Sequence, residues 1–375
     1  MQISRRDLLI SSGAALQERV PANPAGQPSW WTRLRRCAQH NFNEYDPQIL
    51  DIPSWIEYWK SLRLNALVLS AGGFIAFYPT KLRDHHRSQF LGSRDLFGEY
   101  CRAAKQAGIR VIARVETNWA HEEVLKSRPE WFERTADGKP VPNVETPYAF
   151  HTCLFSTYHE EQVPAIIREI TALFDVDGVF TNSWPSTGAP VPCHREICRR
   201  LGAGSKEELL EKHRRRILDL CGRIKGAARE KRPDCVYNVN IQDGIRAVQS
   251  IKALAEIGDW LTADHQGRTG DTPIWDCAQQ GRVAYASMCG KPVTNVVTGN
   301  ASTWRHTSRG DSEITAWLAQ TTASGMIPWY VWAQIPRTSA GRKPGAASTS
   351  GSRDTSRTFS TAGRSPTWGS CTRSG

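Results

Sequence analysis

The chain has 375 residues, which is enough for one large α/β barrel but leaves little room for a second full domain. Its hydrophobic fraction of 39% and charged fraction of 23% are typical of a globular protein. The net charge of +11 comes mainly from the two ends, because residues 31–335 carry 38 basic against 34 acidic residues. The small net positive charge of this middle region argues against a nucleic-acid partner. No apolar run reaches the roughly 20 residues of a membrane-spanning helix.

Residues 1–30 are interpreted as a signal and linker. The segment Ser4-Arg5-Arg6-Asp7-Leu8-Leu9 precedes a short apolar stretch and resembles a bacterial twin-arginine export signal. We therefore expect export to the periplasm or the medium. Because Gln17-Glu18-Arg19 interrupts the stretch before a clean cleavage site, the second interpretation is a disordered charged start, which would leave the protein in the cytoplasm.

Short apolar runs alternate with helical segments between residues 37 and 332. Runs that stay apolar almost to their ends are typical of parallel strands buried on both faces, and eight alternations favour a (β/α)8 TIM barrel over a doubly wound sheet. We assign this barrel to residues 31–335. The eight predicted strands are Cys37–Asn43, Ala66–Gly72, Arg110–Glu116, Gly178–Trp184, Val236–Gln242, Trp260–Gln266, Pro292–Thr298 and Ile327–Trp332.

Two segments break this alternation. Residues 119–156 form a long insertion after the third strand, where loops commonly shape the mouth of a barrel. Residues 336–375 consist largely of Arg, Ser, Thr and Gly, so we predict a disordered tail and a missing or scrambled eighth helix. The abrupt change in composition leads to the hypothesis that this tail is translated from a shifted reading frame.

Polar and aromatic side chains gather at the predicted carboxyl ends of the strands, which face the cleft in a barrel of this type. Amides and carboxylates suit sugar hydroxyls, and flat aromatic side chains suit the apolar faces of sugar rings. We therefore expect a carbohydrate substrate. The predicted binding residues are His40, Asn41, Arg114, Asn182, Trp184, Asn240, His265 and Trp329.

Several motifs resemble hypothetical glycoside hydrolase family six, a group of uncharacterised proteins. They include Gly72-Gly73-Phe74-Ile75-Ala76-Phe77-Tyr78-Pro79, Asp177-Gly178-Val179-Phe180-Thr181-Asn182, Asp264-His265-Gln266 and Trp304-Arg305-His306, within a resemblance that covers about residues 36–332. It implies a barrel related to α-L-fucosidases and β-galactosidases, with Trp304 and Arg305 near the sugar. Fucosidase-like barrels carry a nucleophilic Asp at the end of the fourth strand, where this chain has Asn182.

Glycoside hydrolysis normally requires two carboxyl groups. Glu116 ends the third predicted strand and Asp264 ends the sixth, so we predict these two as the catalytic pair. Arg114 shares the face of Glu116 on an alternating strand and is expected to keep it ionised. On the seventh strand, Asn295 stands where many retaining barrels place a Glu.

Two alternatives to a metal-free hydrolase remain open. Cys193, His194 and Cys198 form a short Cys/His segment, but three ligands at irregular spacing are too few to predict a zinc site, so we assign no metal and no cofactor. The amides Asn182 and Asn295 at the usual acid positions favour a second function, a non-catalytic carbohydrate-binding barrel.

Overall fold

The computed structural model describes residues 29–144, 146–182, 193–201, 204–241, 251–264, 267–268, 272–288, 290–298 and 310–333. Eight parallel strands close into a barrel, and the predicted barrel with its eight strands is confirmed. In their order around the barrel, the strands are β1 (Cys37–Asn41), β2 (Ala66–Gly72), β3 (Arg110–Glu116), β6 (Gly178–Asn182), β7 (Val236–Ile241), β8 (Trp260–Ala263), β9 (Val293–Thr298) and β10 (Ile327–Ala333). β10 is hydrogen-bonded back to β1, and β4 and β5 belong to a separate sheet described below.

Helices connect successive barrel strands and cover the outside of the barrel. Side chains cap several of them; for example, Asp95, the N-cap of the helix that begins at Leu96, accepts a hydrogen bond from the Gly98 amide. The helices are α1 (Ile52–Ser61), α2 (Leu96–Gln106), α3 (Glu122–Ser127), α4 (Val163–Leu173), α5 (Glu196–Leu201), α6 (Lys206–Arg229), α7 (Ile251–Ile257), α8 (Asp276–Ser287) and α9 (Asp311–Ala323). None of the described helices is both long and apolar enough to span a bilayer.

The barrel interior is a packed apolar core rather than a channel. Alternate residues of each strand point inward, and Trp260 and Trp329 lie with Phe180 at its centre. The second, larger core lies between the strands and the helices. Because the interior is filled, only the inward side chains at the last positions of the strands are left to form a site.

The amino ends of the strands are tied to the helix layer by buried acids. Asp177, which precedes β6, accepts hydrogen bonds from Lys105 at 2.8 Å, Arg110 at 2.7 Å and the Val111 amide at 2.9 Å. Asp259, which precedes β8, is held in the same way by Lys225 and Arg229. Pairing each buried acid with basic side chains stabilises this end of the closed sheet. Asp177 and Asp259 lie at the opposite end of the barrel from the predicted site.

The predicted insertion forms a small antiparallel hairpin of β4 (Trp119–His121) and β5 (Ala149–His151) at the carboxyl end of β3. It is anchored by Thr152, whose hydroxyl donates to the carbonyl oxygens of Thr117 and Asn118. The signal segment, the tail and the eighth helix fall at residues 1–28 and 334–375, outside the described residues.

Candidate active site

Glu116 is the inward-facing last residue of β3. Its side chain is buried, and the Arg114 guanidinium, two residues earlier on the same face, donates to Oε2 at 2.7 Å. The Asn182 amide nitrogen, at the end of β6, lies 3.2 Å from Oε1 and 3.0 Å from Oε2. Both carboxylate oxygens of Glu116 therefore accept hydrogen bonds, which fix the orientation of the side chain.

The hydrogen bonds continue around the barrel from Asn182. The Asn240 amide, at the end of β7, donates to Asn182 Oδ1 at 3.0 Å and to Asp264 Oδ2, just after β8, at 3.1 Å. The two predicted catalytic carboxylates therefore belong to one hydrogen-bonded arc. We call this arc the carboxylate arc; its members are Arg114, Glu116, Asn182, Asn240 and Asp264.

The carboxylate arc combines charge with unused hydrogen-bonding capacity. Among the described residues, Asn240 Oδ1 and Arg114 Nε are buried and have no hydrogen-bond partner. Buried polar atoms without partners are uncommon, and a sugar hydroxyl at this position would satisfy them. Arg114 and the amides orient the carboxylates, which are the groups able to exchange protons with a substrate.

A glycine allows the loop after β2 to run directly against this site. Gly73 adopts a φ of +92°, and a Cβ there would lie 1.9 Å from the Glu116 carbonyl oxygen. Only a residue without a side chain fits this approach. The loop then leads to Phe74, which stacks on Tyr148 of the insertion with ring centroids 5.9 Å apart.

The predicted sugar contact of Asn41 remains a prediction; its side chain lies at the end of β1 and accepts from Gln39 at 2.5 Å. The prediction for His40 is wrong. His40 is fully buried on the outer face of β1, against Trp55 of α1 at 4.2 Å and within 3.2 Å of the Tyr100 hydroxyl. Burial lowers its pKa to about 3, so it is a neutral core residue.

Two further interpretations are corrected by the structure. Trp329 is fully buried near the start of β10, packed on Phe180 and Trp260, so it belongs to the barrel core and does not contact a substrate. Asn295 points outward from β9 and donates to Thr321 at 2.9 Å, so it does not occupy an acid position of the cleft. The predicted binding residues Trp184, His265, Trp304 and Arg305 lie outside the described residues.

A cluster of ionisable groups at the rim of the barrel was not predicted from the sequence. We call it the rim cluster; its members are Glu44, His86, His121 and Glu123. His86 Nε2 lies 2.8 Å from Glu44 and Nδ1 lies 2.6 Å from Glu123, while the His86 and His121 rings stack at 3.5 Å. Ligand atoms of Glu44, His86 and His121 lie within 4.8 Å of one another. Both His86 nitrogens already face carboxylates, however, so the cluster is satisfied as an ion network without a metal.

The rim cluster should make stability depend on pH. Burial alone would lower the pKa of His86, but hydrogen bonds to Glu44 and Glu123 outweigh it and raise this pKa above 6.5. The same contacts hold the pKa values of Glu44 and Glu123 below 4.5, although burial opposes this at Glu44. His86 contributes its full stabilisation of the fold below pH 6.5, and this stabilisation is lost as the pH rises through the raised pKa. Glu44 and Glu123 contribute their full stabilisation above pH 4.5, and this stabilisation is lost on acidification.

We therefore expect the stability difference between the wild type and His86→Gln to be greatest between pH 4.5 and 6.5 and to shrink in alkali. Urea unfolding of both proteins at a series of pH values measures it. A difference that stays constant from acid to alkaline pH would contradict the ion network.

Comparison with known proteins supports the resemblance of the sequence motifs to hypothetical glycoside hydrolase family six. Residues 51–183 match the family model of hypothetical glycosyl hydrolase 6. The matched region includes Arg114, Glu116 and Asn182 of the carboxylate arc. No curated protein matches the chain.

Solved structures with a similar fold are glycosidase barrels. α-L-Fucosidase isoenzyme 2 from Paenibacillus thiaminolyticus has a TM-score of 0.64 and 18% identity, covering 88% of this chain and 49% of that one. The cold-adapted β-galactosidase from Rahnella sp. R3 has a TM-score of 0.61 and 15% identity, covering 89% of this chain and 57% of that one. At these identities the likeness establishes the fold, and the chain spans about half the length of these proteins.

Proposed function

We propose that the protein is a glycoside hydrolase whose catalytic carboxylates are Glu116 and Asp264. The observation that carries this proposal is the carboxylate arc, which joins both acids through two amides at the carboxyl ends of adjacent strands. The match of residues 51–183 to a glycosyl hydrolase family model supports it. Tyr148, which is 39% exposed and stacked on Phe74, offers an aromatic surface for a sugar ring.

The environments of the two acids assign them different tasks. Glu116 is buried, and its carboxylate is positioned by hydrogen bonds from Arg114 and Asn182, so we assign it as the base. Asp264, which accepts from the Asn240 amide, is the remaining carboxyl group of the arc and is assigned as the acid that protonates the leaving oxygen. An assignment by environment of this kind is how paired carboxyl groups divide acid and base chemistry.

The spacing of the strands favours inversion of the anomeric centre. β6 and β7 lie between β3 and β8, so both amides separate the two carboxylates. Inverting enzymes keep their carboxyl groups about 6.5–9.5 Å apart to admit a water, against about 5–5.5 Å in retaining enzymes. We expect proton NMR of the first product to show the inverted anomer; accumulation of the retained anomer would contradict this arrangement.

Turnover by the full chain tests the proposed activity. Aryl α-L-fucosides and β-galactosides are the first substrates to assay, because the two similar structures are named for those activities. A wider panel of aryl glycosides and oligosaccharides follows. We expect release of the aryl group from at least one glycoside. The proposal would be defeated if no glycoside of the panel were hydrolysed and Asp264→Asn were indistinguishable from wild type.

The second candidate is a carbohydrate-binding barrel without catalysis. It is favoured by Asn182, an amide of the carboxylate arc at the strand end where the family resemblance implies a nucleophilic Asp. Calorimetry that detects oligosaccharide binding, together with an absence of hydrolysis over long incubation, would support it. Measurable turnover would exclude it.

A further inference from the structure

Three cysteine thiols converge beside the barrel mouth from two separate segments of the chain. Cys153 follows β5 in the insertion, whereas Cys193 and Cys198 follow β6. The sulfur of Cys153 lies 3.4 Å from that of Cys198 and 3.8 Å from that of Cys193. All three sulfurs lie within 4.8 Å of one another.

These distances fit a shared metal ion better than other chemistry. Tetrahedral zinc with Zn–S bonds of about 2.3 Å places its sulfur ligands about 3.8 Å apart. A disulfide would bring two sulfurs to about 2.05 Å and leave the third unexplained. Simple apolar packing gives no reason for three thiols to point at one another, because thiols are weak hydrogen-bonding groups.

The backbone also brings the two cysteine-bearing segments together. The Cys153 amide donates to the Trp131 carbonyl, and the His194 amide donates to the Arg134 carbonyl, each at 2.8 Å. Residues 131–134 therefore bridge the two segments, and the fold itself places the three thiols side by side.

We propose that Cys153, Cys193 and Cys198 bind one zinc ion. Thiolate ligands select zinc over hard cations such as magnesium and calcium, and a water can complete the tetrahedral coordination of an ion held by three thiolates. The ion would fasten the segment after β6 to the insertion after β3. Cys193, His194 and Cys198 alone were too few ligands to predict a metal from the sequence. Cys153 lies 40 residues before Cys193, so its contribution is visible only in the fold.

This site would also support the end of β3. Thr152, the neighbour of Cys153, bonds the backbone of Thr117 and Asn118, which directly follow Glu116. Thr117 in turn donates to the Asn182 carbonyl at 3.0 Å. Zinc would therefore act as a positioning element for the insertion, and its presence does not depend on whether the protein hydrolyses a glycoside.

Metal analysis of the full-length protein tests the site directly. Protein purified without chelators or an affinity tag that binds metal should contain one zinc per chain by mass spectrometry. Replacement with cobalt(II) should produce thiolate-to-cobalt charge-transfer absorption. Cys198→Ser should lose both signals, whereas the control Cys101→Ser, altered at a buried cysteine on α2 outside the cluster, should keep them.

Cys193→Ser tests whether all three thiols bind the ion. Since loss of even an outer-shell partner costs about 10–100-fold in metal affinity, loss of a direct ligand should weaken binding at least that much in competition with a chelator. Cys101→Ser should leave the affinity unchanged. The proposal is overturned if wild-type protein binds no zinc or cobalt, if mass analysis shows a Cys153–Cys198 disulfide, or if Cys193→Ser binds zinc as tightly as wild type. The zinc content and the cobalt(II) absorption of the wild-type protein test the site even if a variant fails to fold.

Discussion

Glu116→Gln should lower kcat/KM on the best glycoside by about 100- to 10,000-fold while the protein remains folded, because a positioned acid or base contributes a factor of this size. The substitution keeps the shape of the side chain and removes its charge. Arg114 and Asn182, which both donate to the carboxylate, can still bond the amide oxygen. Steady-state kinetics with circular dichroism measures activity and fold together.

The matched control is Glu57→Gln, the same change at a 70% exposed acid on α1. It should leave kcat/KM unchanged. Glu116→Ala vacates the space of the carboxylate, so azide or formate should partly restore turnover to this variant but not alter the control. Glu116→Gln with wild-type kinetics would mean that Glu116 only binds or orients, and the assignment of the base would fall.

Asp177→Ala should destabilise the fold by about 3 kcal/mol, because removing one partner of a buried charge cluster leaves the remaining charges uncompensated. Its carboxylate is 7% exposed and accepts from Lys105, Arg110 and the Val111 amide. We place the expected loss at the lower end of the range for buried pairs, since Arg110 is 47% exposed and can be hydrated. Urea unfolding gives the change in free energy.

Asp175→Ala is a close control. Asp175 also contacts Lys105, at 3.2 Å, and Arg232, at 2.6 Å, but its side chain is 65% exposed. Exposed ion pairs contribute about 0–1 kcal/mol, so this variant should unfold within that margin of wild type. Equal losses for the two variants would show that burial of Asp177 does not determine its contribution.

The barrel itself was predictable because parallel strands buried on both faces are apolar along most of their length. β2 and β3 begin and end at the predicted residues. The carboxylate arc could be predicted in part, since Glu116, Asn182 and Asn240 end their strands and parallel strands end on one side. What the sequence could not show is that the two amides connect the carboxylates to each other.

His40 and Asn295 were misplaced for one physical reason, and Trp329 for another. His40 lies between the inward-facing Gln39 and Asn41, and strand alternation sends its side chain to the helix layer. Asn295 fails for the same reason, while Trp329 lies too early in β10 to reach the cleft. The rim cluster and the cysteine cluster join residues about 40 positions apart, and no local pattern specifies such contacts.

A double-mutant cycle on Glu116→Gln and Asp264→Asn tests the central claim most directly. Two carboxylates that act in one reaction behave as a unit, so the double variant should be about as slow as the slower single variant. The measurement is kcat/KM for the wild type, both single variants and the double variant on one glycoside. Strict multiplication of the two effects, or a single variant as active as wild type, would show that these side chains do not form a catalytic pair.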